Sequence, residues 1–142
     1  MRGVTFPEDS LRSGFGEYET YLLYPGAQAC DCEEVELSQK HLVIVIDGTW
    51  DEAQKIVYRN PILHTIPRIS FNRPFTSTYR IRRPPKVGYL STVESVGHLL
   101  TLNAARSGKG HMIPTYQGLF RLFDEMISRQ LAHMGREAEI RA

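Results

Sequence analysis

The run Leu42-Val43-Ile44-Val45-Ile46, followed directly by Asp47-Gly48-Thr49-Trp50, constrains the fold more than any other stretch of this chain. Five consecutive apolar residues predict a central strand that is buried on both faces, as in parallel sheets. A helical pattern then runs from Asp51 through Val57 and ends before Pro61, because the residue before a proline avoids helical geometry. A buried strand that passes straight into a helix predicts an α/β fold, with a mostly parallel sheet flanked by helices.

Other segments fit the same class of fold. Residues 20–24 and 66–71 are rich in strand formers, and the first of them stops at the turn pair Pro25-Gly26. Residues 32–39 are compatible with a short surface helix. Glycines and a proline predict a loop over residues 103–114. Leu119, Leu122, Phe123, Met126, Ile127, Gln130 and Met134 recur at helical spacing, which predicts a C-terminal helix packed against the sheet.

Length and composition predict a single domain of ordinary size. Of the 142 residues, 42% are hydrophobic and 23% charged, and the net charge is +1, as in soluble globular proteins. We expect a leader or truncated element at 1–18, one domain at 19–135 and a tail at 136–142. No apolar run approaches the roughly 20 residues of a membrane span, and no secretory signal is recognisable. We therefore expect a cytoplasmic protein, or a nuclear one in a eukaryote.

Metal binding is not predicted. Cys30 and Cys32 are the only cysteines, which are too few for a disulfide scaffold and, unless His41 or another chain contributes, for a four-ligand zinc site. The five histidines show no ligand spacing, so we expect them to be structural or surface residues.

Asp47 stands just past the carboxyl end of the central strand, where ligands gather in α/β folds. It is either a base or orienting acceptor at the mouth of a site, or a turn residue that binds backbone amides. Trp50, the only tryptophan, either stacks on a flat ligand or anchors the helix to the core. The sequence leaves both alternatives open for each residue.

Two strand-to-helix junctions contain the sequence of a capping box, Thr49 with Glu52 and Ser91 with Glu94. Helix starts present N–H groups that bind carboxylates or phosphates. If strands at 42–46 and 88–90 lay side by side, both starts would point into one crevice. Alternatively, the two boxes only stabilise their helices.

Residues 68–86, the basic segment, contain six basic side chains and no acidic one. Phe71, Phe75 and Tyr79 are interleaved with them. Arginines suit phosphates and aromatic faces suit unstacked bases, so the segment indicates contact with RNA. The side chains predicted to bind RNA are Arg68, Arg73, Tyr79, Arg80, Arg82, Arg83 and Lys86.

Several blocks of the chain resemble, in order, the successive blocks of the DTW-domain proteins. They are Leu22-Leu23-Tyr24-Pro25-Gly26, Asp47-Gly48-Thr49-Trp50 with Ala53, Asn60-Pro61, Pro67-Arg68, Tyr79-Arg80-Ile81-Arg82 and Leu90-Ser91-Thr92-Val93-Glu94. Members of this family are tRNA-uridine aminocarboxypropyltransferases related to the knotted SPOUT-type RNA methyltransferases. The resemblance therefore implies a SPOUT-like, knotted α/β domain over residues 19–135 and a tRNA-modifying transferase.

The resemblance also implies a cofactor, S-adenosylmethionine, and a partner, tRNA. The 3-amino-3-carboxypropyl group would move to N3 of a tRNA uridine and leave methylthioadenosine. Asp47 would help to remove the imide proton, and Trp50 would pack against the cofactor or the base. The residues implied to bind the cofactor are Leu23, Tyr24, Pro25, Asp47, Gly48, Thr49, Trp50, Leu90, Ser91, Thr92 and Glu94. Glu94 is either a capping residue or an acceptor for the cofactor amine.

Two family features are not recognisable in residues 1–19. Many members have a cysteine-rich metal-binding segment and a His-Pro-containing stretch before the block that begins at Leu22. We therefore expect an amino end that is shortened relative to those members and lacks a first strand. Two other functions therefore stay open. The alternative is a non-catalytic, RNA-binding fragment of this family, and the less favoured third function is RNA methyl transfer. Because knotted relatives often dimerise, a homodimer also stays open.

Overall fold

A computed structural model of the chain describes residues 16–72, residue 75 and residues 90–141, with side chains up to residue 136. The chain divides into two compact units, Met1–Arg73 and Pro74–Ala142.

The first unit is built around a four-stranded parallel sheet. Its elements are β1 (Glu19–Leu23), β2 (Cys30–Asp31), β3 (His41–Val45), α1 (Trp50–Arg59), a short 3-10 helix (Pro61–His64) and β4 (Arg68–Ser70). The strand order is β2-β4-β1-β3, and every pair of neighbouring strands is parallel. The prediction of an α/β fold with a parallel sheet is confirmed, whereas the knotted SPOUT-like topology stays a prediction.

Helix α1 and the 3-10 helix supply the core of this unit. Val57, Ile62 and Leu63 are buried together with Leu22 of β1. Burying each such side chain is worth about 1.5–3 kcal/mol relative to leaving it exposed. Asn60, also buried, ends α1 as predicted, and its Nδ2 donates to the carbonyl oxygen of Ile56 at 2.7 Å. The core therefore holds the helix that follows Asp47 against the sheet.

Residues 42–46 were predicted to form a central strand buried on both faces; the strand is present as β3, but its burial on both faces is not observed. All five residues of β3 are only half-buried. Among the residues that the structure describes, β3 pairs with β1 alone and so lies at the edge of the sheet. An apolar run reports the preference of its side chains for burial, but not how many neighbouring strands the chain will supply.

In the first unit, one further expectation differs from the structure and one strand was not predicted. Residues 32–34 form turns, and no helix occupies residues 32–39. Strand β2, at Cys30–Asp31, was not predicted. It pairs with β4, a partner nearly forty residues later, so its local sequence gives little sign of it.

The described residues of the second unit form two helices, α2 (Thr92–Arg106) and α3 (Ile113–Arg141), joined through a short 3-10 helix at Gly110–Met112. The loop predicted over residues 103–114 is therefore too long. Residues 103–106 complete α2, and Pro114 is the second residue of α3, where no backbone N–H is required. Within this unit α2 and α3 pack against each other.

The apolar stripe predicted for the C-terminal helix is only partly buried. Phe123 and Ile127 are buried, but Leu122 and Met126 are 71% and 47% exposed. The close approach of the two helices depends on Gly97, because a Cβ there would lie 2.7 Å from Cζ of Phe120. The His98 ring lies between Phe75, at a centroid distance of 3.9 Å, and Phe120, at 4.7 Å. The contact between His98 of α2 and Phe120 of α3 lies between the two helices.

Candidate functional site

The carboxyl end of the sheet brings two of the predicted site segments together. Strands β1 and β3 are parallel and in register, with Leu23 opposite Val45. Tyr24 and Pro25 leave β1 at the same edge of the sheet at which Asp47 follows β3. In α/β sheets ligands bind at this edge. The structure thus places two segments more than twenty residues apart in sequence beside one another.

The junction between β3 and α1 has a defined backbone. Gly48 has a φ of +147°, which L-residues rarely adopt. Thr49 caps α1: its Oγ1 accepts from the N–H of Glu52 at 3.2 Å, and Oε2 of Glu52 accepts from the Thr49 N–H at 2.8 Å. The predicted capping box is therefore confirmed. The junction holds Asp47 on one side of the glycine and the start of α1 on the other.

Asp47 and Trp50 differ in exposure. Asp47 is exposed, while Trp50 is half-buried as the first residue of α1. A half-buried indole can anchor the helix with one part of its surface and present another to a ligand. The catalytic and cofactor-binding roles of both residues stay predictions.

The second predicted helix start belongs to the second unit and is formed in the same way. Ser91 Oγ accepts from the N–H of Glu94 at 3.3 Å, and Glu94 Oε2 accepts from the Ser91 N–H at 2.8 Å. Glu94 is only 2% exposed. Of its two alternative roles, the capping role is confirmed. Leu90 and Thr92, on either side of Ser91, are half-buried.

The two helix starts differ in charge. The α1 start has Asp51 and Glu52 in its first turn, and Asp47 lies just before them. The first turn of α2 has Glu94 as its only acidic residue. Carboxylates near a helix start offset the attraction that its free N–H groups exert on an anion. Of the two, the α2 start is therefore better suited to a carboxylate ligand, and the α1 start to a cationic one.

Arg68, predicted to contact RNA, has contacts within the first unit. Its guanidinium lies over the ring of Tyr24, 5.3 Å from the centroid, and Nη1 donates to the carbonyl oxygen of Pro25 at 3.2 Å. Gly26 leaves the space for this contact. The contact between Arg68 and this loop was not predicted from the sequence, because Arg68 and Gly26 lie far apart in the chain. The Pro67-Arg68 block was the only signal that could have drawn attention to the position.

The remaining side chains predicted to bind RNA lie outside the described residues. They are Arg73, Tyr79, Arg80, Arg82, Arg83 and Lys86. Their contact with RNA stays a prediction. So does the crevice predicted from neighbouring strands at 42–46 and 88–90, because residues 88 and 89 are also outside the described part.

A second cluster, at the opposite end of the sheet, contains a serine, a histidine and a glutamate. Ser38 Oγ lies 2.9 Å from Nδ1 of His41, and Nε2 of His41 lies 2.8 Å from Oε2 of Glu19. The backbone N–H of Ser38 also donates to Nδ1 of His41, at 2.8 Å. This hydrogen bond uses the lone pair with which His41 would have to accept a proton from the serine hydroxyl as a general base. The cluster therefore ties together the starts of β1 and β3, in line with the structural role expected of His41.

Cys30 is exposed and Cys32 is buried, and both are free thiols. Burial, together with the negative charge of Asp31, raises the pKa of Cys32 to about 12. Among the described residues, no group of three or more His, Cys, Asp or Glu side chains could hold a metal ion. Within that same part of the chain, no helix is long and apolar enough to cross a membrane.

Comparison with known proteins gives a family. Residues 8–131 match the DTW domain. The chain is 35% identical over 89 residues to tRNA-uridine aminocarboxypropyltransferase 2 of Drosophila melanogaster, a match that covers 62% of this chain and 36% of the relative. It is also 35% identical over 86 residues to the proteins of that name from Macaca fascicularis and Mus musculus, covering 58% of this chain and 29% of each relative.

The matched region thus spans about a third of the length of these relatives. No solved structure matches the chain significantly. The domain match, in contrast, extends over most of the sequence and includes the junction between β3 and α1, both capping boxes and the basic segment. The chain belongs to the DTW-domain family.

Proposed function

We propose that this chain is an S-adenosylmethionine-dependent tRNA-uridine aminocarboxypropyltransferase. In this reaction N3 of a uridine loses its proton and forms a bond to the terminal methylene carbon of the aminocarboxypropyl group. The bond between that carbon and the sulfonium sulfur breaks, and methylthioadenosine leaves. The names of the relatives support the reaction class, and the family membership supports its extension to this chain.

The observation that most supports this proposal is the position of Asp47. The parallel pairing of β1 and β3 sets Asp47 beside the loop of Tyr24 and Pro25, at the edge of the sheet where α/β proteins bind ligands. Both segments coincide with blocks of the family.

The chemistry of the side chains fits a cationic cofactor at this edge. Asp47, Asp51 and Glu52 give the start of α1 a negative charge, which favours a sulfonium or an ammonium group over an anion. When bound, S-adenosylmethionine supplies a carbon activated by its positive sulfur.

In this proposal the chain itself moves a proton and orients the reactants. The exposed carboxylate of Asp47 accepts the imide proton from N3 of uridine. Trp50 packs against the flat part of the cofactor or the base. Because a sulfonium has three carbons open to attack, orientation decides which of them meets the nucleophile. Residues of the basic segment, Arg73, Tyr79, Arg80, Arg82, Arg83 and Lys86, hold the tRNA.

A product analysis tests this function. The chain is incubated with tRNA that lacks uridine modification and with S-adenosylmethionine labelled in its carboxyl carbon, and the digested nucleosides are analysed by mass spectrometry. Labelled aminocarboxypropyluridine is the expected product. Unlabelled methyluridine would indicate methyl transfer instead, and retention of tRNA on a filter without any product would indicate a non-catalytic RNA-binding protein.

A further inference from the structure

The side chain of Arg68 lies across the loop that follows β1. Strand β4 pairs with β1 so that Arg68 is opposite Leu22. Side chains alternate between the two faces of a sheet, so Arg68 emerges on the same face as Leu22 and Tyr24. From there it reaches the segment Tyr24-Pro25-Gly26, which follows the carboxyl end of β1.

Three observations show how closely this arginine and the loop fit together. The guanidinium carbon is 5.3 Å from the centroid of the Tyr24 ring, within the range of a cation–π contact. Nη1 donates to the carbonyl oxygen of Pro25 at 3.2 Å. A Cβ built on Gly26 would lie 2.9 Å from Nη1 and 3.4 Å from Cδ of Arg68. The loop therefore has a glycine at the position where the guanidinium approaches its backbone.

The contact joins the ends of two strands. The backbone N–H of Tyr24 donates to the carbonyl oxygen of Ile69 in β4, at 3.1 Å. Pro25 has no N–H and cannot extend that ladder. The next hydrogen bond between the two strand ends comes from the Arg68 side chain, which donates to the Pro25 carbonyl oxygen where the backbone pairing ends. Its planar fork and its stacking on an aromatic ring are properties that lysine does not share.

We infer that Arg68 is a positioning residue for the cofactor pocket, which it serves by holding Tyr24 and Pro25 in place. This inference depends on the proposed function, in which Tyr24 and Pro25 form part of the cofactor site. It replaces the direct RNA contact predicted for Arg68 from its place in the basic segment. In this role Arg68 acts on the cofactor through the loop, by way of its contacts with Tyr24 and Pro25.

Two substitutions perturb this contact in different ways. Arg68→Lys keeps the positive charge but loses the planar guanidinium group. It therefore distinguishes a role in positioning the loop, which needs the guanidinium, from a simple attraction to phosphate, which needs only the charge. Gly26→Ala keeps Arg68 and displaces its guanidinium, because the added Cβ would occupy the position next to Nη1. Gly110→Ala is the matched control, since nothing lies within 4 Å of a Cβ at that position.

Isothermal titration with S-adenosylmethionine, together with steady-state kinetics, tests the inference on the full chain. Arg68→Ala, Arg68→Lys and Gly26→Ala are each expected to weaken cofactor binding by at least about fivefold, which is the order of one lost cation–π contact or hydrogen bond. The KM for the cofactor should rise, with kcat nearly unchanged at saturation. The double variant Arg68→Ala/Gly26→Ala should be no weaker than Arg68→Ala, because both changes remove the same contact.

The tRNA-binding readout separates the two roles of Arg68. If Arg68 is a positioning residue, the salt dependence of tRNA binding is the same in Arg68→Ala as in the wild type. If Arg68 contacts a phosphate, the slope of the tRNA affinity against salt concentration is reduced in Arg68→Ala. Two results together would overturn the inference. Arg68→Lys and Gly26→Ala would bind the cofactor as tightly as the wild type, and Arg68→Ala would show a reduced salt dependence of tRNA binding. If Arg68→Ala does not fold, Gly26→Ala measured against Gly110→Ala still gives the answer.

Failure of the proposed function has a different signature. A wild-type chain that binds no S-adenosylmethionine would contradict both the proposed function and the place of Tyr24 in a cofactor pocket. A wild-type chain that binds it, accompanied by variants of equal affinity, would contradict the positioning role alone. The wild-type titration is therefore performed first.

Discussion

Replacing Gly48 by alanine tests the backbone of the junction between β3 and α1. An L-residue at a φ of +147° costs about 1–3 kcal/mol of conformational strain. The new Cβ would also lie 3.3 Å from Cβ of Glu52, closer than an ordinary contact. Glu52 accepts from the N–H of Thr49, so a shift of this side chain also weakens the cap, which is worth about 1 kcal/mol. We expect a loss of unfolding free energy of about 2–4 kcal/mol.

Gly108→Ala is the matched control for this substitution. Gly108 also has a positive φ, +71°, but nothing lies within 4 Å of a Cβ built on it. Its alanine variant should show backbone strain alone, about 1–2 kcal/mol. Urea unfolding followed by far-UV circular dichroism gives both values, and the fluorescence of Trp50, the only tryptophan, reports on the junction itself. A Gly48→Ala variant that loses less than about 0.5 kcal/mol, below the strain range, would refute the reasoning.

Two further predictions concern stability. Thr49→Ala, which removes the oxygen that accepts from Glu52, should cost about 1 kcal/mol in urea unfolding, and Thr49→Ser should restore most of it; equal stabilities of the alanine and serine variants would contradict the capping role. Burial lowers the pKa of His98 below its ordinary value of 6.5, although the charge of Glu94 partly opposes this. The unfolded chain therefore binds the proton more tightly, so the contribution of neutral His98 to stability is complete above pH 6.5 and is lost as the pH falls through the folded pKa. His98→Phe, which keeps the ring between Phe75 and Phe120, should flatten the decline of the unfolding free energy in acid; an unchanged decline would assign it to other groups.

Interactions between residues close in sequence could be predicted. Each capping box joins residues three positions apart, Thr49 with Glu52 and Ser91 with Glu94, and both are present in the structure. The end of α1 before Pro61 follows from the geometry of a single peptide unit. In these places the side chain and its partner belong to the same turn of the chain, so the sequence alone determines the contact.

Interactions between distant residues could not be predicted. Strand β3 has the apolar run of a central strand but lies at the edge of the described sheet, because strand order depends on the path of the whole chain. The contact of the Arg68 guanidinium with Tyr24 and Pro25 was not predicted, because these partners lie more than forty residues earlier in the chain. Leu122 has the spacing of the buried face of α3 but is exposed, because the helix turns Phe123 and Ile127 inward.

The catalytic role of Asp47 is the central claim, and the single-turnover rate of Asp47→Asn tests it most directly. Asparagine keeps the shape of the side chain and cannot take up the uridine proton. Asp124→Asn is the matched control, because it makes the same change at an exposed position of α3 that has no part in the proposed site. With saturating tRNA and labelled S-adenosylmethionine, we expect Asp47→Asn to lose at least about a hundredfold in rate, the usual contribution of general base catalysis, with tRNA affinity retained. A rate in Asp47→Asn equal to that of Asp124→Asn would contradict the catalytic role of Asp47.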